Sequence, residues 1–338
     1  MKIIIDAMGG DNAPSEIVAG AVRAVDEHDV DIVLVGREDE LRSCLQTCGA
    51  ADNNRISVVN ATEVIDMHDD PTGAIRSKKD SSMVVALRML AAGEGDAVVS
   101  AGSTGALLTG ATLIGKRIHG IRRAAVAPVL PNEEYGVVLI DCGANVECTP
   151  EYLLQFAFMG AFYSKKMLGC PEPKVGLLNN GAEDSKGTDL QKETYKLLQS
   201  AHEAGRIHFV GNIEARDVFS GNVDVIVTDG FTGNVLLKSI EGTALHLMKL
   251  MKKAMMSTTK SKIGALLVKD EVRKLKKLFD AGEVGGTAMI GIAKTVIKAH
   301  GSSDARAISS AVRQAKIYVE SGVIEEIQKN IDYMKIAE

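Results

Sequence analysis

The stretch Ile3-Ile-Ile-Asp-Ala-Met-Gly-Gly-Asp-Asn12 sets the fold class of this chain. A short apolar run leads directly into a polar, glycine-rich loop, which is typical of a buried strand followed by a tight turn. Similar apolar runs occupy 32–36, 97–99, 137–140, 175–178 and 225–227, and helical patterns lie between them at 15–27, 81–92, 150–168 and 188–204. This alternation predicts an α/β fold with a doubly wound, mainly parallel sheet and helices on both faces.

Composition and charge exclude several classes of protein. The 338 residues are 46 % hydrophobic and 25 % charged, as in ordinary globular chains. A net charge of −5 argues against a general attraction to nucleic acid. The five cysteines show no Cys-x-x-Cys spacing, so we expect neither a disulfide framework nor a zinc ribbon, as in a reducing cytoplasm. The longest uncharged run, 97–115, holds four glycines and favours a strand, a turn and a helix over a membrane span.

Polar, glycine-rich loops follow five of the predicted strands. They occupy 6–12, 100–105, 141–145, 179–181 and 228–234. Because the carboxyl ends of parallel strands lie along one edge of a sheet, these loops predict a shared cleft for a small anionic ligand. We interpret the chain as one α/β unit, or as two subdomains around a cleft.

The segment 235–279 differs, because it lacks a strand pattern and is predicted to form an inserted hairpin of two helices. Between Lys249 and Leu278 it carries ten Lys or Arg and two acids, a local charge of +8. One interpretation is a solvated helical pair against the core or a dimer partner. The other is a surface for an acidic partner or an anionic membrane. The candidate contact residues are Lys262, Leu266, Leu267, Lys269, Arg273, Lys274 and Lys277.

Motifs of several other enzyme classes are incomplete. Gly110 to Arg117 nearly matches a phosphate-binding P-loop, but Arg117 stands where a Ser or Thr would hold magnesium. No Gly-x-Gly-x-x-Gly follows the first strand, and no His-Glu-x-x-His occurs. Ser103 lacks the preceding glycine of a serine-hydrolase elbow. Nucleotide hydrolysis, dinucleotide binding and serine or zinc hydrolysis are therefore not supported.

Seven polar segments follow one another over nearly the whole chain. They are Asp6-Ala-Met-Gly-Gly-Asp-Asn-Ala-Pro14, His68-Asp-Asp-Pro-Thr-Gly-Ala-Ile-Arg-Ser-Lys-Lys-Asp80, Ser100-Ala-Gly-Ser-Thr-Gly-Ala106, Asp141-Cys-Gly-Ala-Asn145, Asn179-Asn-Gly-Ala-Glu-Asp-Ser-Lys-Gly-Thr188, Thr228-Asp-Gly-Phe-Thr-Gly-Asn234 and Lys298-Ala-His-Gly-Ser-Ser-Asp304. Together they closely resemble the phosphate acyltransferase family of bacterial phospholipid synthesis. The resemblance implies a fold like that of isocitrate and isopropylmalate dehydrogenases and phosphotransacetylases. It also implies a homodimer that works in the cytoplasm at the inner face of the membrane.

The implied reaction forms acyl phosphate from acyl-acyl carrier protein and inorganic phosphate. Phosphate is already a nucleophile at neutral pH, so it can attack the thioester directly, without a serine or cysteine relay. The protein must hold a dianion, hold the thioester beside it, and stabilise the negative charge on the carbonyl oxygen. The reaction needs no cofactor. Asp6 and Asp11 suit a metal or a turn, and we predict no metal site.

Three residues are candidates for catalysis on the strength of the resemblance. Lys186 lies in a glycine-flanked loop where its ammonium suits phosphate or the tetrahedral oxyanion; alone, it would be read as an exposed loop lysine. The Asn234 amide can donate to the carbonyl oxygen or cap a helix. His68, like His300, can handle protons on phosphate near neutral pH.

Backbone N–H groups of glycine-rich loops before helices suit a phosphate. The candidate phosphate-binding residues are Gly9, Gly10, Ser103, Thr104, Gly230, Thr232 and Gly233. The loop at 230–234 also fits a plain strand–helix turn. Further substrate-binding candidates are Asp6, Arg76, Lys78, Asn145, Asn180 and His300. The basic cluster of Arg76, Lys78 and Lys79 is equally consistent with a solvated helix start.

The sequence thus predicts a soluble homodimeric acyltransferase. Its expected partners are acyl carrier protein, inorganic phosphate, a membrane surface and the downstream glycerol-3-phosphate acyltransferase. One rival is a phosphotransacetylase-like enzyme that uses coenzyme A. A decarboxylating dehydrogenase is poorer, since it needs a nicotinamide and a divalent metal. A non-catalytic membrane scaffold that binds acyl carrier protein is the rival outside the enzymes.

Overall fold

The structure is a computed structural model that describes residues 1–132, 134–273 and 285–334 in full, and 274–278 by their backbone. Twelve strands are found in the described part of the chain. They are β1 (Lys2–Asp6), β2 (Asp31–Gly36), β3 (Ile56–Asn60), β4 (Ala97–Ser100), β5 (Ala125–Ala127), β6 (Val129–Leu130), β7 (Val137–Ile140), β8 (Lys174–Asn179), β9 (His208–Glu214), β10 (Val225–Val227), β11 (Thr287–Ile290) and β12 (Thr295–Lys298).

Helices connect these strands. They are α1 (Ser15–His28), α2 (Glu38–Thr47), α3 (Pro71–Ser77), α4 (Ser82–Ala92), α5 (Thr104–Gly110), α6 (Pro150–Tyr163), α7 (Asp189–Glu203), α8 (Gly230–Met255), α9 (Thr259–Leu267), α10 (Lys269–Leu278), α11 (Ala305–Ser321) and α12 (Val323–Lys329). Single π-helical segments, 111–115 and 164–168, extend α5 and α6. Several helices begin at a residue that caps them. The side chains of Ser81 and Asp304 accept N–H groups of the first turns of α4 and α11.

The strands form two sheets, where the sequence predicted one. The first has the order β3-β2-β1-β4-β12-β11-β5, and the second β6-β7-β10-β8-β9. In the first, β3, β2, β1, β4 and β12 run parallel. In the second, β7, β10, β8 and β9 run parallel. Both sheets are mainly parallel, which confirms the predicted α/β class.

A shared hydrophobic core joins the two sheets. It includes residues of α1 and α11, which pack on the first sheet, and residues of α6 and α7, which pack on the second. Helix α6 is apolar on all sides, and Phe156 and Phe158 are fully buried, as expected for a helix enclosed by protein. A second core beneath α4 and α5 covers the other face of the first sheet. Strands covered on both faces explain the continuous apolar runs of the sequence.

The predicted two-helix hairpin has a different form. Its first helix starts at Gly230 and is continuous to Met255, and the second is divided into α9 and α10 at Val268. Of the 26 residues of α8, only Gly230 and Gly233 are buried. Leu236, Leu237 and Ile240 pack against a small core on the second sheet. The rest of α8, with α9, therefore lies largely outside the core of this chain.

The uncharged run at 97–115 forms β4, α5 and a π-helical segment, as predicted. Within the described residues, no helix combines the length and the apolar composition that a bilayer crossing requires.

Candidate functional site

The carboxyl ends of β1, β4 and β12 place three polar side chains next to one another. Asp6 pairs in register with Ser100, and Ser100 with Lys298. The Ser100 hydroxyl donates to Asp6 Oδ2 at 2.6 Å. Lys298 Nζ donates to the carbonyl oxygen of Ala101 at 3.2 Å and to that of Ala299. Residues far apart in the sequence thus form one cluster at the edge of the first sheet where open α/β sheets bind ligands.

Burial perturbs both charged groups of this cluster. Desolvation raises the pKa of Asp6, although hydrogen bonds from Ser100 and Ser82 favour its charged form. Desolvation also lowers the pKa of Lys298 to about 8, against the opposing charges of Asp6 and Asp11. Titratable groups whose pKa values are shifted in this way are frequent at functional sites.

Glycines bring the loops at this edge into direct contact. A Cβ atom on Gly9 would lie 2.6 Å from Asp6 Oδ2 and 2.8 Å from the Gly102 nitrogen, so the loops after β1 and β4 touch there. Gly10 has a φ of +106°, which favours glycine, and lies against the Gly301 carbonyl oxygen. The predicted residues Gly9, Gly10 and Asp6 therefore lie together.

Two other predicted residues border this cluster. Ser103 follows β4 directly, and its Oγ accepts the Ala106 N–H at 3.5 Å, so the side chain caps α5, whose first residue is Thr104. His300 is exposed two residues beyond Lys298, with Nδ1 2.9 Å from Ser302 Oγ.

The segment around α3 is adjacent to α5. A Cβ atom on Gly105 would lie 2.9 Å from Pro71 Cγ. Lys78 Nζ is engaged internally, 2.6 Å from Asp69 Oδ2 and 3.0 Å from the Val64 carbonyl oxygen. His68 and Arg76 are exposed. Of these candidates, Lys78 thus already has an anionic partner, whereas the other two side chains face solvent.

A buried carboxylate organises the carboxyl edge of the second sheet. Asp141 follows β7 and accepts four N–H groups: the backbone of Val126 at 2.9 Å, the backbone of Ala144 at 3.2 Å, and the backbone and side chain of Asn145 at 2.6 and 2.9 Å. Asn145 Nδ2 also donates to the Ala124 carbonyl oxygen at 2.8 Å. Asn145 therefore shapes the loop, and its amide N–H groups are already paired.

The amino-terminal turn of α8 is docked on this loop. Asp229 accepts the backbone N–H and the hydroxyl of Thr232, each at 2.8 Å. The Gly230 N–H donates to the Asn145 carbonyl oxygen at 2.7 Å, and the Gly233 N–H to that of Asp229 at 3.0 Å. A Cβ atom on Gly233 would collide with the Asp141 carbonyl oxygen. The N–H groups of all three predicted phosphate-binding residues in this turn thus have partners within the protein.

The remaining candidates at the edge of the second sheet lie on the surface of this turn and of the loop after β8. Asn234 points toward Gly143, whose Cβ position is 3.7 Å from Asn234 Cγ. Asn234, Asn180 and Lys186 are exposed. The loop that carries Lys186 is held by Asn179 Nδ2, which donates to the Lys186 carbonyl oxygen at 3.2 Å.

The two sheets are in direct contact near these edges. The backbone of Val126 in β5 of the first sheet donates to Asp141 and accepts the Cys142 N–H at 2.9 Å. Lys238, on α8, lies close enough to the first-sheet edge that its charge contributes to lowering the pKa of Lys298. The charge of the same ammonium also lowers the pKa of Cys142 at the second-sheet edge, against the larger opposing effect of burial.

The two sheet edges present hydrogen-bond donors and cations, and the two cysteines beside them, Cys142 and Cys148, are not activated thiols. Burial raises the pKa of Cys142 well above its ordinary value and that of Cys148 to about 12, so both thiols stay protonated at neutral pH. No group of three or more His, Cys, Asp and Glu side chains is placed to hold a metal ion in the described ranges. This arrangement can bind an anion and stabilise negative charge on a carbonyl oxygen.

Sequence reasoning did not select three of these residues as site candidates: Ser100, Lys298 and Lys238. Ser100 and Lys298 stand at the start of two of the polar segments, directly after short apolar runs. That position, the last residue of a parallel strand, is the signal that could have identified them. Lys238 has no such signal, because it lies in a helix.

Known proteins resemble this chain over almost its whole length. The family model described as "fatty acid synthesis protein" matches residues 1–326. A phosphate acyltransferase of Clostridioides difficile is 48 % identical over 332 residues, covering 98 % of this chain and 96 % of that protein. One of Anoxybacillus flavithermus is 47 % identical over 337 residues, covering 99 % and 100 %.

Solved structures resemble the chain in fold alone. A phosphotransacetylase from Streptococcus pyogenes has a TM-score of 0.62 at 18 % identity, covering 96 % of this chain and 94 % of that one. A putative 4-hydroxythreonine-4-phosphate dehydrogenase from Salmonella typhimurium has a TM-score of 0.54 at 13 % identity, covering 94 % and 99 %. Both the acyl-transfer and the dehydrogenase kinds of neighbour agree with the fold predicted from the sequence.

Proposed function

This chain belongs to the phosphate acyltransferase family, and on that premise we propose that it forms acyl phosphate from acyl-acyl carrier protein and inorganic phosphate. The product is a precursor for phospholipid synthesis. The chain is an acyltransferase, as its relatives are; the carrier-protein donor and the pathway are the proposed part.

In the proposed reaction a phosphate oxygen attacks the thioester carbonyl carbon. A carbon–oxygen bond forms, the carbon–sulfur bond breaks, and the proton of hydrogenphosphate passes to the leaving sulfur. The products are acyl phosphate and the free thiol of the carrier. The protonated state of Cys142 and Cys148 supports direct attack by phosphate, since neither is a ready nucleophile.

The observation that carries the proposal is the pair of polar sheet edges, which lie close enough for the charge of Lys238 to act on both. The space between them is the proposed substrate cleft. The first-sheet edge supplies a half-buried cation, Lys298, among close-packed glycine loops. The second-sheet edge presents exposed Asn234 and Lys186, which can reach a thioester oxygen. Holding the nucleophile on one wall and the electrophile on the other brings two reactants together, which can account for much of the rate enhancement.

Helices α9 and α10 are the proposed surface for the carrier protein and the membrane. Lys262, Lys269 and Arg273 are exposed there, and the side chains of Lys274 and Lys277 lie outside the described residues. Acyl carrier protein is acidic, so these cations favour its approach by long-range attraction. Leu266 and Leu267 are 71 % and 82 % exposed, which suits contact with lipid at the inner membrane face, near the downstream glycerol-3-phosphate acyltransferase.

The exposed apolar side of α8 supports the proposal of a homodimer. Leu247 and Leu250, three residues apart and therefore on one side of the helix, are 59 % and 48 % exposed, and Leu245 is 73 % exposed on another side. Large apolar side chains exposed together are ordinarily covered by another protein surface. A second copy of this chain would supply that cover.

A hydroxylamine trap tests the proposed reaction. The purified protein is mixed with phosphate and either palmitoyl-acyl carrier protein or palmitoyl-coenzyme A, and acyl phosphate is captured as hydroxamate. We expect phosphate-dependent hydroxamate from the carrier-protein donor. Product from coenzyme A alone would instead assign a phosphotransacetylase-like reaction. Carrier-protein binding without product from either donor would point to the scaffold.

A further inference from the structure

The Lys298 ammonium has hydrogen-bonding capacity that the protein does not use. Its two hydrogen bonds go to carbonyl oxygens, those of Ala101 and Ala299. An ammonium has three N–H groups, so one is left without a partner in the described part of the chain. Both bonded carbonyls are neutral, so the hydrogen bonds position the charge without compensating it.

The charges around Lys298 come from three other elements. Asp6 at the end of β1 and Asp11 in the following loop are acidic, and Lys238 on α8 is basic. Lys298 forms no ion pair with either carboxylate in the described ranges. Lys238 itself pairs with Glu241 at 2.8 Å. Two ammonium groups from the two walls of the cleft therefore repel each other, and an anion bound beside Lys298 would relieve that repulsion.

The alternative phosphate site at the start of α8 is less suited to an anion. The N–H groups of Gly230, Thr232 and Gly233 already donate to Asn145 and Asp229. The carboxylate of Asp229 also occupies the position that an anion would take at a helix amino terminus. A phosphate there would have to displace these internal bonds.

We propose that Lys298 is the cation that binds the phosphate substrate, at the edge of the first sheet. The proposal rests on the proposed function, because it assigns the nucleophile of that reaction to one wall of the cleft. Asp6 and Ser100 then act as positioning residues that fix the end of β4 beside Lys298. The thioester lies toward Asn234 and Lys186.

The first test compares Lys298→Gln with Lys294→Gln, which removes an exposed lysine just before β12. Phosphate binding is measured by calorimetry with inorganic phosphate alone, and turnover by the hydroxamate assay. For Lys298→Gln we expect at least a 30-fold weaker affinity and a similarly raised KM for phosphate, with KM for the acyl donor within 2-fold. The Lys294 variant should match the wild type. An unchanged phosphate affinity in a folded Lys298→Gln variant overturns the proposal.

The pH dependence of kcat/KM for phosphate provides a second readout, which a purely structural lysine would not move. Since this parameter reports free-enzyme titrations, it should fall above a pKa of about 8 as Lys298 loses its charge. Lys298→Arg keeps its charge at high pH, so its profile should stay level to about pH 10. Lys238→Gln removes a repelling charge and should shift the decline to higher pH.

Because the arginine variant keeps the charge, it tests the proposal even if Lys298→Gln does not fold. A Lys298→Arg profile that declines as in the wild type would overturn the assignment. Failure of the proposed function is distinguishable, because the wild-type chain would then bind phosphate yet give no hydroxamate from the carrier-protein donor.

Discussion

The carboxyl edges of the two sheets place their charged side chains differently, although both edges are built from polar, glycine-rich loops. At the first, charged groups are withdrawn from solvent: Asp6 is buried and held by Ser100, and Lys298 is half-buried and held by backbone carbonyls. At the second, the buried carboxylate of Asp141 is satisfied by four N–H groups, and the side chains of Asn234 and Lys186 are exposed to solvent. One edge keeps a charge available inside the protein, and the other uses its buried charge for structure.

This difference matches the two reactants of the proposed reaction. Phosphate is small and strongly hydrated, so a fixed, partly desolvated cation can hold it specifically. A thioester on a carrier protein is large and must enter from outside, so exposed donors on a firmly held loop suit it better. The comparison predicts two kinds of mutation at the second edge. One kind disrupts the packing of α8 on the Asp141 loop, and the other removes an exposed hydrogen-bond donor and leaves that packing intact.

The largest effect is expected for Gly233→Ala, which breaks the support of the second edge. Its Cβ atom would collide with the Asp141 carbonyl oxygen, so α8 must shift. We expect a loss of about 3 kcal/mol in the free energy of unfolding and at least 100-fold lower kcat/KM, measured by urea denaturation and the hydroxamate assay.

Gly242→Ala is the matched control, because it lies in the same helix and its Cβ atom would meet open space beyond the helix's own backbone. A helical alanine in place of glycine should stabilise the fold by about 0.5–1 kcal/mol. If both variants behave alike, the close contact at Gly233 is not what holds α8 in place.

The next largest effect is expected for Lys186→Ala, which removes an exposed cation and leaves the support intact. We expect roughly 100-fold or greater loss of kcat at saturating phosphate and donor, with thermal stability unchanged. Lys192→Ala, exposed on α7, is the control and should retain its rate. Near-normal turnover by the Lys186 variant would remove this residue from the catalytic set.

A smaller effect is expected for Leu266→Glu in α9, outside both edges. Burial of a leucine in lipid contributes about 2 kcal/mol, so vesicle binding should weaken at least 10-fold while turnover of carrier-protein donor in solution changes little. Flotation with anionic vesicles measures the first quantity. Val210→Glu on β9, 40 % exposed, controls for added charge. Unchanged flotation of the Leu266 variant would argue against lipid contact there.

The smallest effect is expected for Cys148→Ser. Because burial raises the pKa of Cys148 to about 12, its thiol is protonated and should resist iodoacetamide at pH 8, unlike a freely exposed cysteine. Turnover should stay within 2-fold of the wild type. A loss of 100-fold or more would replace direct attack by phosphate with a covalent cysteine route.

The reliable sequence signals were local ones. Continuous apolar runs located β1, β2, β4, β7, β8 and β10, because strands covered on both faces need no polar side chains. The short or less apolar strands β3, β5, β6 and β9 escaped this pattern, as did β11 and β12. The break at Val268 that divides α9 from α10 was also missed, since both sides carry helical residues.

The candidate site likewise combines residues that local sequence patterns predict with pairings that only the structure shows. Loops after strands indicated Gly9, Gly10, Asn234 and Lys186, and the seven segments indicated the family. Contacts across the fold decided which groups are free: Lys78 is paired with Asp69, and the amides of Asn145 are paired. No local pattern encodes such pairings.

By itself, the sequence determined the α/β class, the position of the polar loops and the family, because periodicity and loop composition are properties of neighbouring residues. Only the tertiary structure decided that the strands form two sheets and that Asp6, Ser100 and Lys298 meet. It also decided that the turn at Gly230 is internally satisfied, while one N–H of Lys298 has no partner among the described residues. Hydrogen bonding and desolvation depend on which distant segments touch, and burial makes those contacts energetically decisive.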